Sequence, residues 1–593
     1  MRGWLHRAMG CSVEVSPRRR TGAMALVLLV GLAAHTASAQ VFLPPISDPG
    51  GRSLEVPPLQ PDKPSMPAPM PPAAPAPPAD TQTGLPPVKV FVREFRFEGQ
   101  TVVTTQELQA LAAPYTGRDL TTEDLESLRT AVTWLYLQRG YVTSGAVIPD
   151  QAVTGGLIRI QIIEGLLDEI RVEGAQWLWP GYYQRRIALG AGPPVNIYTL
   201  QERLQLLQQD SRIQRINAEL RRGIAPGRNE LNVRVAESLP FKAWVEFNNH
   251  QSPAVRAERW LATLAHESLT GNGDRFQFTY GQSIPMHNVT GVLPMINVSY
   301  VLPITAYDTS VAVAYRRSDF NVVAEPFRTL GIEGHTEIFS VTLQQPVYRT
   351  LTHVVNLGVQ GEYLYNKNLL SGQPFDFFAG YQNGVANVAA LRFLQDWTYR
   401  IQDSIVGARS RFSVGVDVLD ATINSGAVAD GRYFSWIGQL QGLHRFDQYA
   451  GTQLLGRLDL QLANDRLFPL EQMPIGGRYS VRGYREISLL RDNAFLFSIE
   501  PRLPLSRWLF GAREDLLQVA PFFDYARAWT AKGPTQDPTS LMSVGVGLRT
   551  AFLPNNHGYF ELYWGHRLKE SGANTRGNLQ DHGVHLQLVL QPF

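Results

Sequence analysis

The 593-residue chain holds one cysteine, Cys11, and only 18% of its residues are charged, below the roughly 25% usual for soluble domains. A lone thiol excludes an intramolecular disulfide and a Cys-ligated metal centre. The formal net charge is +2, far from the basic excess of a nucleic-acid binder. The apolar run at residues 23–34 is 12 residues long, too short to cross a bilayer of about 30 Å. A mean hydropathy of −0.14 argues against a bundle of membrane helices. Catalytic signatures are also missing. There is no Gly-x-x-x-x-Gly-Lys-Ser/Thr loop, no Gly-x-Ser-x-Gly elbow and no His-Glu-x-x-His, so no enzymatic activity and no cofactor is expected. What the chain does have is 10% aromatics, 51 Gly and 40 Pro.

The N-terminus accounts for part of this balance. Arg2, Arg7 and Arg18-Arg19-Arg20 precede the short apolar run, and Ala37-Ser38-Ala39 follows it. That order reads as a secretory signal over 1–39 with cleavage after Ala39; a signal anchor would need a longer run. The segment takes five Lys/Arg and one Glu, leaving 49 basic and 51 acidic residues and a mature net charge of −2. Cys11 leaves with it. Residues 44–87 then carry 16 prolines, so 40–87 reads as an extended spacer that buries no core. A ligand for a proline-recognising domain is the alternative.

Residues 88–238 contain a repeat. Phe95-Arg96-Phe97-Glu98-Gly99 returns 75 positions on as Ile170-Arg171-Val172-Glu173-Gly174, and the run at 157–162 returns 73 positions on at 230–235. Between these strand-like runs lie helices. Thr121 and Asp124 open one as a capping box, Leu125, Leu128, Val132 and Leu135 form its apolar stripe, and Gly140 stops it. Leu200, Leu204 and Leu207 mark its counterpart. Two tandem α+β modules follow, at 88–165 and 166–238.

From residue 239 onward the period is two. Phe276-x-Phe278-x-Tyr280, Val311-x-Val313-x-Tyr315, Phe339-x-Val341-x-Leu343 and Phe495-x-Phe497-x-Ile499 alternate apolar with polar residues. Residues 412–418, 454–462, 544–548 and 560–564 do the same. A soluble sandwich would also alternate, but the signal segment and the cysteine-free mature chain favour a transmembrane barrel. The 352 residues at 242–593, shared among about 16 strands, leave room for strands of about 9–11 residues with loops. The fold class is therefore mainly β: an antiparallel transmembrane β-barrel at 239–593 preceded by two small α+β domains. Phe593 ends the last amphipathic strand, where a terminal aromatic serves as an assembly signal, although Pro592 breaks the alternation before it.

His557, His566, His582 and His585 match no metal-ligand spacing. Gly545-Val546-Gly547 reads as small lumen-facing residues. The dense constellation is Gly476-Gly477-Arg478-Tyr479-Ser480-Val481-Arg482-Gly483-Tyr484, in a long connection between two strands. By itself it could be a flexible surface turn. Val481-Arg482-Gly483-Tyr484, the proline-rich spacer, the paired modules and the barrel together resemble the Omp85 superfamily, and within it the two-partner-secretion transporters of the FhaC/ShlB type.

That resemblance covers 88–593 and implies several things. The modules are similar to POTRA domains, and Trp134, Tyr136 and Tyr141 of the first are either groove contacts or core. The tetrapeptide tips a loop folded into the pore, and Arg482 pairs with Asp524 of Phe522-Phe523-Asp524 on the barrel wall. Ala526 stands where some relatives of the wider superfamily have glycine. Some relatives carry an N-terminal helical plug, for which the prolines at 40–87 leave no room. The implied location is a Gram-negative outer membrane with the modules in the periplasm. The implied partners are a secreted adhesin, haemolysin or toxin, outer-membrane lipids and the barrel-assembly machinery; nucleic acid is not among them. The implied function is translocation of an unfolded exoprotein. An outer-membrane protein insertase and a passive porin are the alternatives.

Overall fold

The computed structural model describes residues 89–591 apart from 285–293, 325–326, 450, 512, 514–515, 554–556 and 571–576. The signal segment at 1–39, the spacer at 40–87 with its question of a plug, and the terminal Phe593 lie outside the described residues.

The two modules share one order of elements. In the first, strand Glu94–Glu98 leads to helices Thr105–Ala112 and Thr122–Gln138, then to strands Gly145–Val147 and Leu157–Ile163. In the second, strand Leu166–Glu173 leads to helices Pro180–Ala188 and Ile197–Gln208, then to strands Ile213–Arg222 and Arg228–Glu237. In both, the opening strand pairs parallel with the closing one, Phe95 opposite Ile158 and Ile170 opposite Leu231. The remaining strand pairs antiparallel on its other side. The motifs that recur in the sequence are thus adjacent strands of each sheet.

Helix Thr122–Gln138 begins with the expected capping box between Thr121 and Asp124, which satisfies two orphan amides of the first turn. Leu128, Val132 and Tyr136 are buried against Phe95, Ile158 and Ile160, while Leu200, Leu204 and Leu207 occupy the matching core. Tyr136 is therefore core, Tyr141 packs on the margin of that core, and Trp134 is half-buried.

The repeat extends beyond the strands. Glu164 accepts from the N–H groups of Thr101 (2.7 Å) and Val102 (3.2 Å) and from the Tyr136 hydroxyl (3.0 Å). Glu237, 73 positions on, accepts from the N–H groups of Gln176 (2.9 Å) and Trp177 (2.6 Å) and from the Tyr183 hydroxyl (2.7 Å). Each carboxylate ties down the loop that follows the opening strand. Gly99 and Gly174 begin those loops at φ +93° and +85°, where a Cβ would strike the carbonyl of Ile162 or Val235; only glycine fits. The modules are also splinted together. The Asn196 amide donates to the Arg139 carbonyl (2.8 Å), and the Ile197 N–H donates to that of Gly140 (2.9 Å).

A closed antiparallel barrel of 16 strands follows, running from Phe241–Asn248 to Val584–Leu590, with the two-residue strand Gln373–Pro374 as a small addition at one loop. First and last strands close it through four residue pairs, from Asn248 opposite Gln587 to Val245 opposite Leu590. The Asn249 side chain extends the seam, donating to the Val584 carbonyl (3.0 Å) and accepting from the Leu586 N–H (2.8 Å). Alternation has the predicted sense. Phe339, Val341, Leu343, Phe412, Val414, Val544 and Val546 are exposed outward, while Ser340, Ser413, Asp459, Gln461 and Ser543 are buried inside. An apolar outer band over a polar interior is what hydrocarbon outside and water inside require. No described helix is long and apolar enough to cross a membrane; the strands do so.

The second module sits on the barrel's near turns. Arg186, buried, donates through Nε to Asp308 (3.0 Å) in the 304–309 turn, and Arg349 binds the other oxygen of the same carboxylate. The Trp179 N–H donates to the Gly271 carbonyl (2.9 Å).

Glu164→Ala or Glu237→Ala should leave backbone amides and a tyrosine hydroxyl without an acceptor, at about 2 kcal/mol. Hydrogen exchange should accelerate at Thr101 and Val102, or at Gln176 and Trp177, and not in the other module; uniform or unchanged exchange would refute the tie. Burial raises the Glu164 carboxyl, but hydrogen bonds from Thr101 and Val102 outweigh it and hold the pKa below 4.5. A depressed carboxylate stabilises the fold above its unfolded pKa, and that contribution is lost as pH falls. Protection factors at Thr101 and Val102 should therefore drop on acidification below pH 4.5, and Glu164→Gln should abolish this dependence.

Candidate functional site: an arginine-anchored loop inside the barrel

Between strands Thr452–Ala463 and Asn493–Arg502 the chain makes its long connection, 464–492. It leaves from the barrel end opposite the modules and turns inward. A small ribbon, Met473–Ile475 against Leu489–Arg491, carries the tip. Gly476 and Gly477 take φ of +104° and +102° to start the turn. The Ser480 hydroxyl accepts the Gly476 N–H (2.7 Å), and the Arg478 N–H donates to Glu486 (2.6 Å). The glycine-rich segment is thus an ordered, buried tip.

All four residues of the tetrapeptide meet the wall. Arg482 is 3% exposed and Asp524 fully buried. The Arg482 Nε and Nη2 donate to the two Asp524 oxygens at 2.8 Å each, and its backbone N–H donates to the same carboxylate (3.0 Å). This is the fork geometry that arginine alone supplies. Phe522 lies under the guanidinium, 3.7 Å from ring centroid to Cζ. Gly545 and Gly547 face the lumen as expected, leaving space for the rings of Phe522 and Tyr563. Val481 and Tyr484 are buried with Leu496, Ala526, Ala528 and Leu541. Ala526 thus contributes its methyl group to the packing beneath the tip. The Tyr484 hydroxyl reaches the Met542 carbonyl (3.0 Å).

Gly483 makes the closest approach. A Cβ there would lie 2.8 Å from the Gly565 carbonyl oxygen, and one on Gly565 would lie 2.7 Å from the Gly483 Cα. Backbone rests on backbone, so side chains are excluded on both sides. The Gly483 N–H donates to His585 Nε2 (3.3 Å), and Arg567 Nε donates to the Gly483 carbonyl (2.6 Å).

The sequence reading gave Arg482 one carboxylate partner, and the structure gives it two. Glu500, 2% exposed on the neighbouring strand, binds Nη1 and also accepts from Arg502 (2.8 Å) and the Tyr563 hydroxyl (3.1 Å). Arg478 pairs with Glu561 (2.6 Å), and Arg485 donates to Asp581 (2.9 Å). Three arginines in eight residues, Arg478, Arg482 and Arg485, thus reach separate carboxylates on the wall and the loop beyond it. The inward parity of Glu500 and Glu561 was the only sequence signal for these partners. Opposite the tip a cavity of about 440 Å³ remains, bounded by Arg259, Arg317, Gln439, Asp459, Tyr479 and Glu486. Among the described residues no group of His, Cys, Asp or Glu is arranged to hold a metal ion.

Arg482→Ala should cost about 3–5 kcal/mol, because it strands two buried carboxylates. Asp524→Asn should cost roughly half as much, since Glu500 still compensates the guanidinium. The midpoint at which the folded barrel loses its compact gel mobility on heating reads both. Combining the substitutions should recover part of the arginine loss; equal single losses with a double variant no worse than either would show that Glu500 takes no share, and strictly additive losses would show that Arg482 and Asp524 do not act as a pair.

The sequence pattern of the haemolysin secretion/activation proteins ShlB/FhaC/HecB matches residues 227–550, and that of the ShlB-type POTRA domain matches residues 90–165. The outer membrane transporter CdiB of Dickeya dadantii (strain 3937) is 23% identical over 405 residues, 67% of this chain and 69% of that protein. The heme/hemopexin transporter protein HuxB of Haemophilus influenzae is 22% identical, covering 75% of this chain and 78% of its own. The structure of CdiB from Escherichia coli matches with a TM-score of 0.62 at 20% identity, covering 86% of this chain and 92% of that one. BamA from Haemophilus ducreyi, lacking POTRA domains 1–3, gives 0.51 at 12% identity, covering 85% and 100%. These structural likenesses are likenesses of fold. With the family pattern spanning more than half of its length, the chain belongs to the ShlB/FhaC/HecB haemolysin secretion/activation family of the Omp85 superfamily, an outer-membrane barrel whose POTRA modules are periplasmic.

Proposed function

We propose that the chain exports a partner exoprotein by two-partner secretion, receiving it unfolded on the POTRA modules and passing it out through the barrel. The observation that carries this reading is the pairing of two features in one chain. A periplasmic arm is fixed to the barrel's near turns, and the lumen is occupied by a loop held through ion pairs to the wall. A packed apolar core would seal the barrel permanently, whereas a polar lumen with a discrete ion-paired loop leaves a path that opens by moving one element.

Reception has a physical basis in the sheet edges. Among the described residues, strand Ile213–Arg222 pairs with Arg228–Glu237 on one edge and with no strand on the other, and Glu94–Glu98 is likewise an edge strand in the first module. An extended chain can add there through backbone hydrogen bonds, which ask little of its sequence. The sequence carries no Gly-x-x-x-x-Gly-Lys-Ser/Thr nucleotide loop, so in this reading transport draws on no nucleotide hydrolysis by this chain. Direction then comes from the cargo folding outside. The cargo class is that of a secreted adhesin, haemolysin or toxin. CdiB and HuxB, named as transporters, support the transport reading.

Deletion of residues 88–238 separates the possibilities. A translocator should lose export of the exoprotein encoded beside it while keeping ion conductance in planar bilayers. Unchanged export would refute reception by the arm. Loss of other outer-membrane barrels from the cell would point instead to an insertase.

A further inference from the structure

The other near-side connections of the barrel are short, from two residues at 402–403 to eight at 267–274. The connection at 503–517 is much longer. It joins strand Asn493–Arg502 to strand Gln518–Trp529 and contains the helix Leu505–Phe510, which the period-two reading of this region did not pick out. Pro504 precedes the helix, and Gly511, at φ +62°, ends it.

One side of this helix is fastened to the barrel end. The ladder between the two strands continues through reciprocal bonds of Leu503 and Val519 (2.8 and 3.0 Å). Ser506 is buried at 3% exposure, and its hydroxyl accepts the Leu517 N–H (3.3 Å). Its last turn presents three consecutive large apolar residues, Trp508, Leu509 and Phe510, exposed by 49%, 65% and 76%. Single exposed apolar side chains are ordinary, but a contiguous patch on a helix held in place marks a contact surface.

Position identifies the occupant. Leu503 and Val519 continue the outward parity of Phe497, Ile499, Pro501, Pro521 and Phe523, so the helix begins where the lipid-facing band of these two strands ends. The patch is continuous with that band. An indole beside aliphatic and phenyl groups, with Arg507 on the same exposed stretch, is the composition that seats a short helix at the boundary of headgroups and acyl chains. We propose that Trp508, Leu509 and Phe510 insert into the periplasmic leaflet of the outer membrane as an interfacial anchor for the hairpin that holds Arg482. The same hairpin carries Ser498, Glu500 and Asp524, all partners of that guanidinium. The bilayer therefore braces the wall to which the loop is latched. The inference rests on membrane placement and is independent of what the barrel transports.

The test uses the full chain with its one cysteine replaced, Cys11→Ser, in phospholipid nanodiscs. An environment-sensitive fluorophore is attached at Leu509→Cys. Controls carry it at Val544→Cys in the lipid-facing band and at Val153→Cys on the first module. The anchor predicts that lipids brominated near the carbonyl end of the acyl chain quench the label at 509 by half or more. Lipids brominated near the chain terminus should quench it less, and the label at 153 should be insensitive to both. Emission and quenching at 509 that match position 153 would overturn the proposal. So would shielding that appears only when a soluble partner or a second copy is added. Gel mobility before and after heating reports folding; should Leu509→Cys fail it, Phe510→Cys gives the same readout.

Discussion

A guanidinium packed between an inner loop and the barrel wall is cut off from water, and the position of Arg482, 3% exposed, follows from the need to compensate its charge. Its counter-charges must come from inward-facing residues of adjacent strands, which restricts them to positions of one parity. Asp524 and Glu500 satisfy the condition on neighbouring strands, and Ser498 donates to Asp524 (2.6 Å) while accepting from Arg482 (3.1 Å). Much else is arranged around this pairing. Phe522 supplies a flat surface, Gly545 and Gly547 make room for the rings, and Gly483 lets the tip lie directly on the wall. A buried ion network of this kind contributes specificity of placement more than net stability. It fixes where the loop sits without gluing it there as an apolar plug would.

The arm answers a different constraint. A 75-residue module has little core, and each copy here reinforces itself with the same carboxylate-to-backbone tie, Glu164 or Glu237. The two copies are then joined through Asn196 and Gly140, and the second meets the barrel through Asp308, which two arginines share. Contacts of one residue type, charged or amide side chain to backbone or ion, recur at every junction. They are directional, so they set angles as well as adhesion.

Much of this was legible in the sequence because it depends on local periodicity. Alternation announced strands such as 412–416 and 454–462 together with the face each presents, and the 73- to 75-residue recurrence announced paired strands within each module. The capping box at Thr121 was readable from two residues. Arg482 and Asp524 were legible through resemblance to a family, since no periodicity says which carboxylate an arginine 42 positions away will meet. Glu500 and Glu561 showed only their inward parity, and Asp581 gave no signal. Their role depends on which strands become neighbours and how far each is staggered, and that is a property of the closed barrel. Glu164 and Glu237 could have been found by extending the repeated runs at 157–162 and 230–235 by two residues. The helix at Leu505–Phe510 is too short to show a period.

The splint between the modules has a mechanical corollary. With Asn196 and Ile197 bonded across to Arg139 and Gly140, the arm transmits a load from its outer end to its inner end as a stiff lever. Its bearing is the turn at 304–309, gripped through Asp308. A pull on the first module is therefore delivered as torque to the strands Pro294–Pro303 and Ser310–Asn321, on the part of the wall that faces the cavity and away from the hairpin that holds Arg482.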